Sequence, residues 1–480
     1  MKGADRAKVS GSAGRFPVRP GVIIISNCNY YLALYENAEF SFRVGLGNSP
    51  LSLLGLWKVF RSSTLAYDAE PMADSSITTQ CCIVGGGPAG VMLGFLLARA
   101  GVRVVVLEKH ADFFRDFRGD TVHPSTLELM YELGLIDEFL KLPHQEVETL
   151  SAQIGAEHVP MVDFRHLPTH CKFVALMPQW DFLNFLAAHG KRYKSFDLRM
   201  QAEATDLIEK NGRIVGLNAT TSSGALTILA DLVVGCDGRH SVVRGKAGLT
   251  SDVYGAPMDV LWFRVSHRDG DSVDTFGHVE AGKMMVMFDR GDYWQCAFVI
   301  PKGGIERVKS AGIEAFRGQV VEMSPFLSDR VGELKTWDDV KLLSVTVDRL
   351  RKWWRPGLIC IGDAAHAMSP IGGVGINMAV QDAVAAANRL AGPLRTGKVT
   401  DADLQAIEER RTLPMRFTQW MQLTVQRRVI SRVLASHERP KPPAFFKLFN
   451  SFPSLRRIPA RLIGIGIRPE HVQTLEAAPD

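Results

Sequence analysis

Nearly continuous apolar runs, each closed by glycine or an acid, recur along the chain at Cys81–Val84, Val102–Leu107, Leu232–Cys236 and Leu358–Ile361. Short runs with few polar positions read as strands buried on both faces, the pattern of a parallel sheet. The first and last open through glycine-rich turns into helix-like stretches. Elsewhere the period is two. Val260–His267 alternates, and Lys283–Phe288 and Tyr293–Ile300 flank a turn at Arg290–Asp292, which predicts an antiparallel hairpin. Leu127, Met130, Tyr131 and Leu133 form a helical stripe. After Thr396 the chain reads as helices, with Pro414 starting or kinking one of them.

The first turn carries specific chemistry. Gly85, Gly87 and Gly90 give GxGxxG between a strand and a helix, with Pro88 and Ala89 inside the motif. The first glycine makes the tight turn, the second lets backbone approach a pyrophosphate, and the third permits close helix–strand packing. Glu108 ends the second strand, 18 residues after Gly90, near the spacing expected of an acid that bonds an adenosine ribose. An acid there points to an unphosphorylated ribose, as in FAD or NAD.

Composition narrows the class. At 480 residues the chain is long enough for two or three packed units, and 22% charged residues is ordinary for a globular protein. Seven cysteines form no CxxC pair, so neither a zinc site nor a disulfide framework is expected, and a cytoplasmic location is. No apolar run is long enough to span a membrane. Between Arg395 and Glu470 stand 15 Lys/Arg against 6 Asp/Glu. That tail reads as a solvated helical surface or as a peripheral contact with an anionic membrane or acidic partner. It carries no groove-reading motif, so nucleic acid is not expected. Residues 1–71 lack a clear period and read as a disordered extension or a mis-called start before Met72; a targeting peptide is the rival reading.

Three further segments, "FRGDTVHPSTLELMYELGL", "ADLVVGCDGRHSVVRGKAGL" and "GDAAHAMSPIGGVGIN", join the first turn in one pattern. Over about Ile77 to Leu390 the chain resembles the FAD-dependent aromatic hydroxylases, the flavoprotein monooxygenases typified by para-hydroxybenzoate hydroxylase. The resemblance implies an α/β fold: a Rossmann-like FAD-binding domain (77–150, 176–248 and 340–395) interleaved with an antiparallel-sheet substrate domain (151–175 and 249–339), plus a helical C-terminal region (396–480).

It also implies roles. Gly85, Gly87, Pro88, Ala89, Gly90 and Glu108 would hold the adenosine side of FAD. Arg118, Gln179, Asp237 and Arg244 would lie against the cofactor, the last two in a motif also associated with the nicotinamide donor. Gly362 and Asp363 would meet the ribityl chain. Gly373, Gly375, Ile376 and Asn377 would present backbone N–H groups to the flavin's pyrimidine edge, where a helix N-terminus favours negative charge. The backbone carbonyl of Pro370 would face the reacting ring, and His366 reads as loop packing rather than as a base.

The expected reaction uses NADPH or NADH and dioxygen to hydroxylate a small aromatic substrate through a flavin hydroperoxide, with no metal. The alternatives are a flavin oxidoreductase without oxygen insertion and a non-catalytic FAD-binding protein. A halogenase is disfavoured because "YWQCAFVIP" lacks the WxWxIP segment. A monomer and a homodimer are equally compatible. Trp262, Arg264, Met285, Met287 and Trp294 are candidate pocket residues, with core packing as the rival reading; His166 and His170 are undecided between pocket and surface loop.

Overall fold

A computed structural model describes residues 75–114, 121–271 and 277–477, except 444, 445, 447, 448 and 450. The expectation for residues 1–71 and the role expected of Arg118 lie outside these residues.

The apolar runs form a mainly parallel sheet in the order Trp354–Arg355, Leu358–Cys360, Gly224–Gly235, Ser75–Val84, Val104–Glu108, Phe196–Met200. Ser75–Val84 lies between Gly224–Gly235 and Val104–Glu108, parallel to both. Its connection runs one way through the helix Pro88–Arg99, while the strand on its other side comes from far along the chain. The carboxyl ends Val84, Glu108, Gly235 and Cys360 therefore share one edge, at a point where strand order reverses. Open α/β sheets take their ligands at such points.

Pro88–Arg99 packs against the sheet and against Gly375–Arg395. Alanines 379, 383, 386 and 387 on the second helix are buried, and side chains this small let two backbones approach closely. At Gly362 a Cβ would sit 3.2 Å from the Ala89 Cβ and 3.3 Å from the Ala379 Cβ. The two glycine-rich junctions are thus pressed together.

The second sheet is antiparallel apart from one pair and runs Lys341–Leu343, Met258–Ser266, Tyr293–Pro301, Lys283–Asp289, Gly277–Glu280, Thr149–Ile154, Glu157–Asp163. The hairpin falls where alternation predicts it. Lys341–Leu343 pairs with Met258–Ser266, so this sheet takes in residues from the segment assigned by sequence to the cofactor domain. One face packs on the helix Ile313–Met323. Phe263, Met285, Met287, Trp294 and Phe316 are buried there. Full burial of a large apolar side chain contributes about 1.5–3 kcal/mol.

The helix Asp401–Val425 starts with a capping box in which Thr400 and Asp403 bond each other's backbone N–H groups. It runs through Pro414, which neither starts it nor ends it. A π-turn at Gln426–Ile430 carries it on into Ser431–Ala435.

Candidate functional site

The site is built where the two junctions meet. Gly85 has φ +104°, a conformation other residues rarely adopt, and a Cβ there would overlap the carbonyl oxygen of Cys236. A Cβ on Gly90 would overlap the carbonyl oxygen of Gly85. Gly87 differs: its φ is −77° and its ψ −175°, and a Cβ would meet nothing within 4 Å. Two glycines of the motif are demanded by the protein's own packing; the middle one faces open space. It is the N-cap of Pro88–Arg99, which no side chain caps, so the first-turn N–H groups point at that space.

Glu108 is buried at the neighbouring strand end. Its Oε2 accepts the Gly86 N–H at 3.0 Å and its Oε1 the His110 N–H at 3.0 Å. Both bonds hold the carboxylate at the junction.

The second junction is fixed by a buried ionic cluster. Asp382, fully buried, accepts the Gly362 N–H at 3.0 Å, faces His366 Nε2 at 2.6 Å, and accepts Arg411 Nε at 2.8 Å. Arg411 Nη1 reaches Glu470 at 3.1 Å. Burial alone would raise the Asp382 pKa, but His366 and Arg411 outweigh it and hold the carboxyl below its ordinary range. His366 is therefore a structural tie, 1% exposed and packed on Trp353.

Asp237 and Arg244 also bond the chain itself. Asp237 accepts the Ser241 hydroxyl and the Val243 N–H, capping the turn that follows. Burial raises its pKa, and those bonds oppose the rise. Arg244 donates to the Arg239 carbonyl at 2.7 Å and the Ala364 carbonyl at 3.5 Å, and pairs with Asp348 at 3.4 Å. Asp348 in turn accepts the Ala367 N–H at 3.1 Å. The DGxxSxVR segment thus braces the loop that carries Asp363. Asp363 is itself part-exposed and lies 3.6 Å from Arg239.

Asn377 pins the start of Gly375–Arg395. Its Oδ1 accepts the His123 N–H and the Thr126 hydroxyl, both at 2.8 Å, and its Nδ2 donates to the carbonyls of Thr121 and Gly373. Gly373 has φ +63°, and a Cβ there would overlap the Thr121 hydroxyl. Ile376 is buried, whereas a Cβ at Gly375 would meet open space. No side chain caps this helix either. His123 Nδ1 lies 2.8 Å from the Ile463 carbonyl, which requires the Nδ1–H form. Burial lowers its pKa to about 4, against a small rise from that bond. Gln179 opens the helix Gln179–Gly190, half-buried.

Sequence reading missed what holds Pro370. Three glutamines on the C-terminal helix line up behind the loop. Gln419 Nε2 donates to the carbonyls of Asp348 and Ala367. Gln422 accepts the Ser369 N–H and donates to the carbonyls of Ser369 and Ile371, both at 2.9 Å. Gln426 donates to the Ser369 hydroxyl at 2.7 Å. All three are at most 1% exposed. Their i, i+3, i+7 spacing was the available signal.

The second sheet faces this loop with its other side. Ile371 packs with Met258, Met284 and Val299, while Trp262, Val286, Val260 and Ala297 continue that face. Trp262 stacks on Phe288 at 6.0 Å, and its buried indole N–H has no partner among the described residues. Of the candidate pocket residues, Met285, Met287 and Trp294 are therefore core, and Trp262 lies on the junction side. Arg264 is exposed at the same parity, over the Tyr293 ring. His166 is exposed beside Asp163, and His170 stacks on Tyr131 at the surface.

Two glycine junctions with uncapped helix N-termini, at one edge of a mainly parallel sheet, define a dinucleotide-binding protein of the doubly wound class. The middle-glycine opening at Gly87 and the buried acid at Glu108 fit a dinucleotide. Comparison with known proteins agrees. The family described as "FAD binding domain" matches residues 78–421. The chain is 31% identical over 344 residues to 6-methylpretetramide 4-monooxygenase of Streptomyces rimosus, covering 71% of this chain and 82% of that one. It is 28% identical to a rifampicin monooxygenase of Streptomyces venezuelae over 63% of its own length, and spans 61% of that relative's, less than two thirds. The crystal structure of p-nitrophenol 4-monooxygenase from Pseudomonas putida shares the fold, with TM-score 0.65 at 21% identity over 80% of this chain and 97% of that one. The chain belongs to the FAD-dependent aromatic hydroxylase family. Its cofactor is FAD and its activity that of a flavin-dependent monooxygenase.

Proposed function

We propose that the enzyme takes a hydride from NAD(P)H and inserts one atom of dioxygen into an electron-rich aromatic ring. The ring would lie between the Trp262 face of the second sheet and the loop Pro370–Gly373. The overall balance is substrate–H, NAD(P)H, a proton and dioxygen giving substrate–OH, NAD(P)⁺ and water. The packing of Ile371 against Met258, Met284 and Val299 carries this reading, because it brings an apolar sheet face over the second junction. Relatives named for 6-methylpretetramide, rifampicin and para-nitrophenol support an aromatic substrate.

FAD, when bound, supplies the two-electron chemistry. The chain's residues bind and orient. Gly85, Gly87, Pro88, Ala89 and Gly90 would admit the diphosphate to the first helix N-terminus. Glu108 would hold the adenosine ribose, and Asp363 with Gly362 the ribityl chain. The first-turn N–H groups of Gly375, Ile376 and Asn377 would stabilise charge at the pyrimidine edge, while the Gly373 N–H is taken by the Pro370 carbonyl at 3.0 Å. Gln179 would meet the cofactor from its helix N-terminus. Asp237 and Arg244 act as braces. The Pro370 carbonyl, which accepts the Gly373 N–H at 3.0 Å and lies between the two residues that the glutamine ladder bonds, would turn its remaining lone pair to the reacting ring, and the Trp262 N–H would donate to a substrate oxygen. The apolar face excludes water from the reacting atoms.

The six cysteines among the described residues are free and buried, which supports a cytoplasmic setting. The surface that a peripheral membrane contact would use is the helix Arg457–Gly464, where Ile458 is exposed beside basic residues.

The test incubates the FAD-loaded full chain with NADPH or NADH, ¹⁸O₂ and a panel of phenols and polycyclic aromatics. One labelled oxygen per product, with matched consumption of reductant, is expected. Conversion without label would favour the second reading, a flavin protein that does not insert oxygen. A relative named dialkyldecalin synthase, 28% identical over 310 residues, keeps that reading specific.

A further inference from the structure

The reductant in this reading needs a binding site, and the sequence holds only one GxGxxG with its ribose acid. A candidate lies on the outer side of the C-terminal helix. A groove of about 490 Å³ is lined by Tyr254, Arg349, Arg416, Trp420, Arg427 and Arg428, with Gln419 in its floor. That volume lies within the roughly 300–1,000 Å³ of small-molecule sites.

Charge is its defining property. Arg416, Trp420, Thr424 and Arg427 recur along one helix face, and Arg349 enters from the strand Asp348–Leu350, its guanidinium 4.7 Å from the centre of the Tyr254 ring. Arg416, Arg427 and Arg428 are exposed. None of the four arginines is paired with a carboxylate among the described residues, whereas neighbouring Arg351 pairs with Asp252 and Arg410 and Arg411 with Glu470. Like charges gathered without counter-ions repel. A fold that keeps four of them around one cavity is matched to a multiply charged anion. Guanidinium groups suit phosphate oxygens bidentately, and Tyr254 and Trp420, the latter 61% exposed, offer faces to a planar base.

Position ties the groove to the flavin site. Gln419 in its floor bonds the Asp348 and Ala367 carbonyls, and Asp348, beside Arg349, pairs with Arg244.

We propose that this groove binds the phosphate-bearing adenylate half of the nicotinamide reductant and selects NADPH over NADH. The inference rests on the proposed use of NAD(P)H. A 2′-phosphate adds roughly two negative charges near neutral pH, the feature that NADH lacks.

The experiment uses the FAD-loaded full chain and the variants Arg416→Gln, Arg427→Gln and their double. Binding of adenosine 2′,5′-bisphosphate is followed by calorimetry, and steady-state kinetics are run with NADPH and with NADH. The bisphosphate should compete with NADPH. Each substitution should weaken its binding and raise KM for NADPH by about tenfold, the equivalent of ~1.4 kcal/mol, with kcat nearly unchanged. KM for NADH should move less. Arg395→Gln, outside the groove, should change neither.

Bisphosphate binding that is absent, or that survives in the double variant, overturns the proposal. So does loss in the variants of binding only to vesicles containing phosphatidylserine, which would make the patch a membrane contact. If the wild type oxidises no NAD(P)H, the functional reading fails by itself, while calorimetry still decides whether the groove takes a nucleotide phosphate.

Discussion

Gly87→Ala separates what the fold needs from what the cofactor needs. Gly87 already has backbone angles that alanine accepts, φ −77° and ψ −175°, and the added methyl would meet no protein atom within 4 Å. Two small effects on the apoprotein oppose each other. Reduced freedom of the unfolded chain stabilises by about 0.4–1 kcal/mol. Loss of glycine from a helix N-cap costs up to about 1 kcal/mol. The apoprotein melting temperature should therefore stay within about 3 °C of wild type. The methyl would stand in the space where a diphosphate reaches the helix N-terminus. Losing one charge-assisted backbone contact costs about 1.5–3 kcal/mol, so FAD affinity should fall about tenfold to a hundredfold. Thermal melts of the apoprotein and titration with FAD, followed by flavin fluorescence, measure both quantities. Gly90→Ala is the contrast: its methyl would overlap the Gly85 carbonyl oxygen, and the variant should fail to fold. Wild-type FAD affinity in Gly87→Ala would refute the placement of the diphosphate. A collapsed melting temperature would refute the claim that this glycine serves the ligand.

Glu108→Ala should weaken FAD more than FMN, since only FAD carries the adenosine ribose; equal weakening in a binding titration would remove that role. His123 gives a pH dependence. Its pKa falls from 6.5 unfolded to about 4 folded because burial disfavours the charged ring, so below pH 6.5 the unfolded chain binds the extra proton more readily. Stability should drop as pH falls from 6.5 to 4, by about 3 kcal/mol in all, and His123→Gln should flatten that part of a urea-melt series. Gln422→Leu should keep FAD content yet shift the flavin absorption spectrum and raise the share of NAD(P)H lost to hydrogen peroxide; unchanged spectrum and coupling would show that the ladder does not position the Pro370 loop.

The first junction was legible because its signal is local: directly after the first strand, the glycines, helix, second strand and acid fall within 24 residues, from Gly85 to Glu108. The second was legible as a motif, but what stabilises it was not. Asp382, Arg411 and Glu470 converge on Gly362 and His366 from separate elements, and no spacing announces that convergence. Asp237 and Arg244 stood out in sequence for cofactor contact, yet Arg244's partner Asp348 lies 104 residues away. The second sheet shows a different limit. Alternation locates strands but leaves open which face meets which neighbour, and one residue of parity separates Met285 in the core from Met284 beside Ile371.

The glutamine ladder ties these observations together. The stretch Ala367–Pro370 has no regular structure before the 3-10 turn Ile371–Gly373, so its buried carbonyl and N–H groups need partners from elsewhere, at a cost of about 1–3 kcal/mol each if unmet. A polar stripe on a long helix reads as a solvated surface, and here that stripe is at most 1% exposed because it supplies those partners. An amide suits the task better than a charge: Gln422 donates and accepts at once, bonding the Ser369 N–H and two carbonyls without an ion to desolvate. The same helix turns its opposite, arginine-bearing face to the groove, and Gln419 belongs to both sides. The segment from Thr400 to Ala435 thus holds the backbone on either side of Pro370.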